Sequence, residues 1–323
     1  METSSQGYSL GTVLLTAVAP VAWGSTYIVT ENFLPPDRPL FAALVRALPV
    51  GLVLLAIRRQ LPPRGWRLKA VALGLCNIGL FFPLIFLAAY HLPGGLAATL
   101  QATSPLAVMA IAWPLLRERP PAVRVGAALV GIVGVALLVL RNPGHVDALG
   151  LVGAFGSVLV SAVGFVLVKR WPAPEEIRSA GAAGMITVVS WQLVVGGLAL
   201  LPVALLVEGA PPAVDGQALA GFAWIAVAGT GVAYFCWFTG LSRMPAGAAS
   251  LIGLVNPAVG TVLGVVFAGE AFGWAQALGM ALVLGGVLAG QRLVRTPPAV
   301  EVREVEVQEF TVGEYVEVES CHA

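Results

Sequence analysis

Long apolar stretches succeed one another through this chain with only short polar breaks between them, and that succession limits the fold more than any other feature. A helix crossing a bilayer needs about 20 mostly apolar residues, because each residue rises about 1.5 Å through a hydrocarbon layer about 30 Å thick. Ten such stretches can be marked: Leu10 to Thr30, Pro39 to Ile57, Lys69 to Tyr90, Gly94 to Leu115, Val125 to Leu140, Ala148 to Val168, Ala183 to Val207, Leu219 to Leu241, Gly247 to Ala268, and Gly273 to Gln291. Hydrophobic residues make up 58% of the chain and charged residues 11%, against roughly a quarter charged in soluble domains. One aqueous core cannot hide so much apolar surface. The expected class is therefore an all-α integral membrane protein.

Short connections in lipid force successive helices to run antiparallel and to satisfy their own backbone hydrogen bonds. The basic residues then set an orientation. Arg58, Arg59, Arg64, Arg67 and Lys69 follow the second stretch; Arg117, Arg119 and Arg124 follow the fourth; Lys169, Arg170 and Arg178 follow the sixth. Arg243 follows the eighth, and Arg292, Arg295 and Arg303 follow the tenth, so 15 of the 18 Lys and Arg lie on one side. Only Arg38 and Arg141 occupy the opposite connections, and Arg46 lies inside the second stretch. The positive-inside rule places both termini in the cytoplasm. The first stretch has neither a preceding basic region nor a small-residue cleavage site, so it reads as a retained helix.

A net charge of +1 argues against bulk attraction to nucleic acid. Cys76 and Cys236 lie in apolar runs and Cys321 in the tail, with no metal-ligand spacing and no disulfide framework. No metal, catalytic group or cofactor is expected. Residues 296–323 interleave Val with Glu301, Glu304, Glu306, Glu309, Glu314, Glu317 and Glu319. Such alternation suits an edge strand, but no partner strand is in view, and the segment reads as a disordered acidic cytoplasmic tail.

An internal repeat organises the rest. Pro93 and Pro105 are twelve residues apart, as are Pro245 and Pro257, and a shift of 152 superposes both pairs together with Gly95 on Gly247, Ala97 on Ala249 and Glu118 on Glu270. With small gaps, Trp23-Gly24 falls on Val163-Gly164, Arg46 on Gln192, and Phe82 and Phe86 on Tyr234 and Phe238. Each unit holds five helices, an odd number, so the second must enter the membrane from the opposite side, as in inverted-topology repeats. The expected organisation is a first repeat over 1–145, an inverted second repeat over 146–295, and the tail.

These residues resemble the drug/metabolite transporter superfamily, specifically EamA-type permeases built from two five-helix repeats. The resemblance rests on Ala22-Trp23-Gly24-Ser25, Pro39 through Arg46, Ala88-Ala89-Tyr90 leading into Gly94 to Ala98, Thr103-Ser104-Pro105, and Leu115 to Arg119. Pro245 to Ser250, Asn256-Pro257 and Gly269-Glu270 answer in the second repeat. It spans about residues 8 to 294. It implies a multi-pass transporter of the bacterial inner membrane, usually for metabolites or amino acids and often an exporter, with one substrate cavity between the repeats.

Several residues are candidates for that cavity. Arg46 is a cation within a span, which costs about 2.5 to 3.5 kcal/mol on insertion scales and so demands a partner. It offers paired hydrogen bonds to a carboxylate or phosphate, or it braces helix packing by donating to carbonyls at kinked helix ends or snorkels outward; Gln192, its counterpart, suits either account. Pro105 and Pro257 are expected to kink the fourth and ninth helices near their middles, freeing carbonyls that lipid tolerates only beside a cavity. Gln101, Ser104 and Pro105 share one face of the fourth helix, and Asn256-Pro257 supply the equivalent in the ninth. Trp23 and Tyr27, Asn77 and Phe81, and Tyr234 and Trp237 complete the expected substrate-binding set. Glu118 and Glu270 are read as caps of neighbouring helix N-termini, with a gating role as the alternative. Trp66, Trp171 and Trp274 near predicted ends read as interfacial belt anchors, and the glycine pairs Gly260/Gly264 and Gly286/Gly290 as helix contacts within one chain.

The expectation is a secondary transporter or facilitator for neutral or zwitterionic metabolites, amino acids first, working by alternating access as a monomer in the bilayer on a small-molecule substrate. A membrane-embedded enzyme or lipid-handling protein is the alternative. That class calls for intramembrane His, Asp and Glu clusters or a serine with a base, which the spans do not offer. No phosphate-binding GxxxxGK[ST] loop is present for ATP-driven pumping.

Overall fold

The computed structural model describes residues 8–92, 94–139, 147–269 and 272–291. Among the described residues, ten long helical units, with a short helix Glu175–Arg178 between the sixth and seventh, run in order: α1 (Leu10–Gly24, continued beyond Ser25 by Thr26–Phe33), α2 (Pro39–Arg58), α3 (Arg67–Gly74, a π-helical turn Leu75–Gly79, then Phe81–His91) and α4 (Gly94–Gln101 and Ser104–Leu116). They continue as α5 (Ala122–Val139), α6 (Ala148–Arg170), α7 (Ala182–Val207), α8 (Gly216–Ala226, a π-helical turn Val227–Val232, then Ala233–Arg243), α9 (Ala246–Ile252 and Val255–Ala268) and α10 (Trp274–Gly290). Eight of these units are long and apolar enough to cross a bilayer, while α5 and α10 are apolar but shorter. The outer surface suits lipid. Leu206 is 86% exposed, Phe267 72% and Leu288 71%, a degree of apolar display that soluble monomers avoid.

Packing between helices follows a regular scheme. α2 lies on α7, α5 on α10, α3 on α6, α1 on α8, the second segment of α4 on α6, and the second segment of α9 on α1. Exchanging the first five helices with the last five maps this scheme onto itself. At the α5/α10 crossing the backbones nearly touch: a Cβ on Gly279 would stand 2.6 Å from the Gly134 carbonyl oxygen, and one on Gly134 would stand 2.8 Å from the Gly279 oxygen. Gly286 likewise presses on the Ala127 carbonyl and Gly290 on Leu251, so this glycine pair serves contacts within the chain.

The interruptions of α4 and α9 fall earlier than the sequence predicts. Each helix breaks before its proline, at residues 102–103 and 253–254, and the proline stands in the first turn of the new segment. The reason is steric: a proline ring clashes with the carbonyl four residues back, here Gln101 and Gly253, but fits the opening turn of a helix, where its missing N–H is not needed. A second pair of irregularities was not visible in the sequence. The π-helical turns of α3 and α8 begin at Leu75 and Val227, 152 residues apart, the spacing that relates the prolines.

Trp66 corrects the expectation of a lipid-facing belt. A short turn, Arg64–Trp66, folds the ring inward until it is 6% exposed and 5.7 Å from the ring of Trp191, whose Nε1 donates to the Gln60 carbonyl at 2.7 Å. Trp171 packs against the same cluster, whereas Trp274 is 90% exposed. Pro93, Glu270 and the 296–323 tail lie outside the described residues.

Candidate functional site

A π-helical turn widens the helix by one residue and leaves carbonyls without their usual partners, a device common at functional positions. Both such turns here are gripped from the neighbouring helix. In α8, the Gly229 carbonyl accepts from Arg46 Nη2 at 2.8 Å and from Trp23 Nε1 at 3.0 Å, and Thr230 Oγ1 accepts from Arg46 Nε at 2.9 Å while donating to the Ile225 carbonyl. In α3, Asn77 Nδ2 donates to Gln192 Oε1 at 2.7 Å. α2 thus holds the turn in α8, and α7 holds the turn in α3. Arg46 also lies 5.1 Å from the Phe82 ring centroid, so its desolvated charge meets a π face and two oxygen acceptors. Of the two roles open to Arg46 and Gln192, bracing is the one their hydrogen bonds perform here.

Around these clamps the structure gathers aromatic residues from separate helices. Trp23 stands 5.7 Å from Tyr234 and 5.3 Å from Trp237, Tyr234 stands 5.5 Å from Phe238, and Phe165 of α6 stands 5.3 Å from Trp237. Tyr234, two residues beyond the turn in α8, reaches across to donate to the Asn77 carbonyl in the turn of α3 at 3.3 Å. The tip of Trp237 lies beside Gly253, at the break of α9. Where an open pocket was expected, these rings fill much of the space: Trp237 is 2% exposed, and Asn77, Gln192 and Tyr234 are buried as well. The conformation seen is one in which aromatic side chains close on one another.

Two polar atoms in this cluster remain without partners among the described residues, Trp237 Nε1 and Asn77 Oδ1. A buried donor or acceptor left unmade costs about 1 to 3 kcal/mol. They supply one donor and one acceptor beside the π turns.

The remaining candidates lie at the breaks. Ser104 and Asn256 open the second segments of α4 and α9 and are half-buried, and Gln101 closes the first segment of α4 and donates to Ser157 of α6 at 2.7 Å. Phe81 packs on Phe82 at 5.6 Å. The side chain of Tyr27 lies outside the described residues. Glu118 accepts from the Ala246 N–H at the start of α9 at 2.8 Å. Sequence reasoning missed Phe165, Gly229, Thr230 and Glu208. Phe165 adjoins the Val163-Gly164 pair that aligns with Trp23-Gly24, a usable signal. Glu208 accepts from the Leu40 and Phe41 N–H groups at 2.6 and 2.9 Å, capping α2 from the end of α7, and nothing in the linear order announces that pairing.

Comparison with known proteins agrees with this architecture. Residues 10–140 and 148–289 each match the EamA-like transporter family. The chain is 38% identical to Protein PecM of Dickeya dadantii over 84% of its own length and 90% of that protein's. It is 27% identical to the uncharacterized inner membrane transporter YicL of Salmonella typhimurium (84% and 92%) and 27% identical to the uncharacterized transporter YwfM of Bacillus subtilis (85% and 92%). A crystal structure with 19% identity superposes with a TM-score of 0.71 over 87% of this chain and 96% of the other, a likeness of fold.

Proposed function

This chain belongs to the EamA-like transporter family, and from that premise we propose that it is a secondary transporter or facilitator that moves small metabolites, amino acids first among them, outward across a bacterial inner membrane by alternating access. Its two repeats, 1–145 and 146–295, are inverted copies of five crossings each, with both termini cytoplasmic. The observation that carries the reading is the doubling of irregularities: each half has a π-helical turn in its third helix and a break before a proline in its fourth, the starts of the turns and the prolines both 152 residues apart. Regular helices pack well in lipid, so repeated departures at matching depth favour a site or a hinge over chance.

The chemistry of the seam favours a solute without net charge. Arg46 is occupied by Gly229 and Thr230, and the groups left to a solute are neutral: Trp237 Nε1, Asn77 Oδ1, and the side chains of Gln101, Ser104 and Asn256. A zwitterion brings its own compensating charges to such a lining, and the surrounding rings accommodate an apolar side chain. Trp23, Tyr27, Phe81 and Tyr234 complete the proposed lining, with Arg46 and Gln192 acting from behind it and Pro105 and Pro257 marking the hinges. No cofactor enters this scheme, and the monomer is the working unit.

The test is counterflow of a radiolabelled amino-acid and metabolite panel in proteoliposomes, with Gln101→Ala and Trp237→Ala alongside. At least one amino acid is expected to exchange above empty liposomes and to lose most of its rate in both variants. A broad panel in which nothing moves would sink the reading.

A further inference from the structure

The two faces of the molecule are closed unequally. On the face that carries Arg117, Arg178 and Arg243, the first segment of α9, Ala246–Ile252, is buried along its whole length and packs on the second segment of α4. Contact there is tight, since a Cβ on Gly247 would stand 2.5 Å from Met109 Cγ. On the opposite face the equivalent segments, Gly94–Gln101 and Val255–Ala268, have no comparable packing among the described residues. The groove of about 240 Å³ on that face lies elsewhere, between the end of α1 and the start of α8, lined by Val29, Phe33, Ala220, Gly221 and Trp224.

Besides the local Glu175–Arg178 pair there and the His91–Asp147 pair on the opposite face, the closed face carries an ion pair between α6 and the end of α4. Lys169 Nζ lies 2.5 Å from Glu118 Oε1 and donates to the Met244 carbonyl at 2.7 Å, while Glu118 Oε2 accepts from the Ala246 N–H at 2.8 Å. The end of α6, the end of α4 and the entry to α9 are thereby tied at a single point. Both side chains are 24% exposed, so the pair is partly shielded from water and less screened than a free surface pair. The repeat puts no lysine at the equivalent position of the first half. In the register that sets Gly24 on Gly164, the first repeat has Val29 where the second has Lys169, and Val29 packs against an apolar cluster of Leu34, Ala218 and Phe222.

We propose that Lys169 and Glu118 form a one-sided latch that favours the state closed at the basic-loop face, making the two end states of the cycle unequal in population. The proposal rests on the alternating-access reading above. An interaction present in only one of two states shifts their ratio by its full differential strength, and one absent from both shifts nothing.

A cysteine at Ala112 reports on the latch. Ala112 is 1% exposed and lines the small cleft shared by Met109, Glu118 and Gly247. With Cys76, Cys236 and Cys321 replaced by alanine, labelling of Ala112→Cys by an impermeant maleimide is measured on purified protein. Lys169→Met, Glu118→Gln and Lys169→Arg are compared in that background. Glu118→Gln keeps an acceptor for the Ala246 N–H and removes only the charge. Labelling is expected to rise about threefold in Lys169→Met and in Glu118→Gln, the scale of a partly exposed ion pair, and to stay at the parent rate in Lys169→Arg. Unchanged labelling in whichever of the first two variants folds, or Lys169→Arg as fast as Lys169→Met, overturns the latch. Because no solute is needed, the two proposals fail separately. A chain that transports nothing yet gates with Lys169 sinks only the transport reading, and flat labelling in a transporting chain sinks only the latch.

Discussion

Arg46 Nη2 donates to the carbonyl of Gly229 at 2.8 Å, and this bond joins a buried cation in the middle of α2 to a π-helical turn in α8. Charge in lipid demands a partner, and unpaired carbonyls in lipid demand a donor. The two needs answer each other here. The second half repeats the arrangement without charge, with Gln192 of α7 and Asn77 of α3.

Arg46→Met should lower the melting temperature of the purified protein in detergent, because hydrogen bonds to charged groups contribute about 1.5 to 3 kcal/mol each. Arg46→Lys should recover only part of the loss, since an ammonium lacks the fork that reaches Thr230 and Gly229 together. Thermal unfolding followed by fluorescence checks this. Full stability in Arg46→Met would show that the clamp carries no energy.

Asn77 and Gln192 should couple. Each alanine substitution strands a buried polar group on the other helix, so the double variant should be less destabilised than the sum of the singles, by about 1 kcal/mol. A double-mutant cycle on unfolding midpoints measures it, and strict additivity would mean that the 2.7 Å bond is energetically silent.

Gly134→Val and Gly279→Val should each destabilise the α5/α10 crossing by about 1 to 3 kcal/mol or more, the usual range for overpacking, since the added atoms meet backbone that has no rotamer to yield. Gly126→Ala, where no atom lies within 4 Å of the added Cβ, serves as the control and should leave stability unchanged or slightly raised. Equal melting temperatures for Gly279→Val and Gly126→Ala would contradict the crossing geometry.

Trp237→Phe keeps an aromatic ring and removes the unpartnered N–H. If that N–H serves the solute, KM for exchange should rise several-fold while the melting temperature holds or increases, because an unmet buried donor is relieved. Counterflow kinetics and thermal unfolding on the same preparation decide it. Unchanged KM would assign Trp237 to packing alone.

Much of the architecture was legible in the linear order. Helix ends agree with the marked stretches to within a few residues at most positions: the seventh stretch, Ala183 to Val207, is the helix Ala182–Val207, and the tenth, Gly273 to Gln291, is Trp274–Gly290. The candidate site was legible only in part. Trp23, Tyr234 and Trp237, chosen for their helical faces, meet between α1 and α8. The π turns were not foreseen, because Leu75–Gly79 and Val227–Val232 contain no residue that requires a widened turn; neighbours across the helix interface make it affordable.

Hydrophobic length and the placement of arginine are properties of the chain itself, since the cost of exposing polar backbone or stranding charge in lipid is set before any helix meets another. Those costs made this a multi-pass membrane protein. Which side chains oppose one another is decided only when α2 lies on α7 and α6 beside α4, at distances of a few ångströms that no spacing rule encodes. So it was the tertiary structure that turned Arg46 toward Gly229, folded Trp66 onto Trp191, and brought Lys169 to Glu118 on one face with only Val29 at its place on the other.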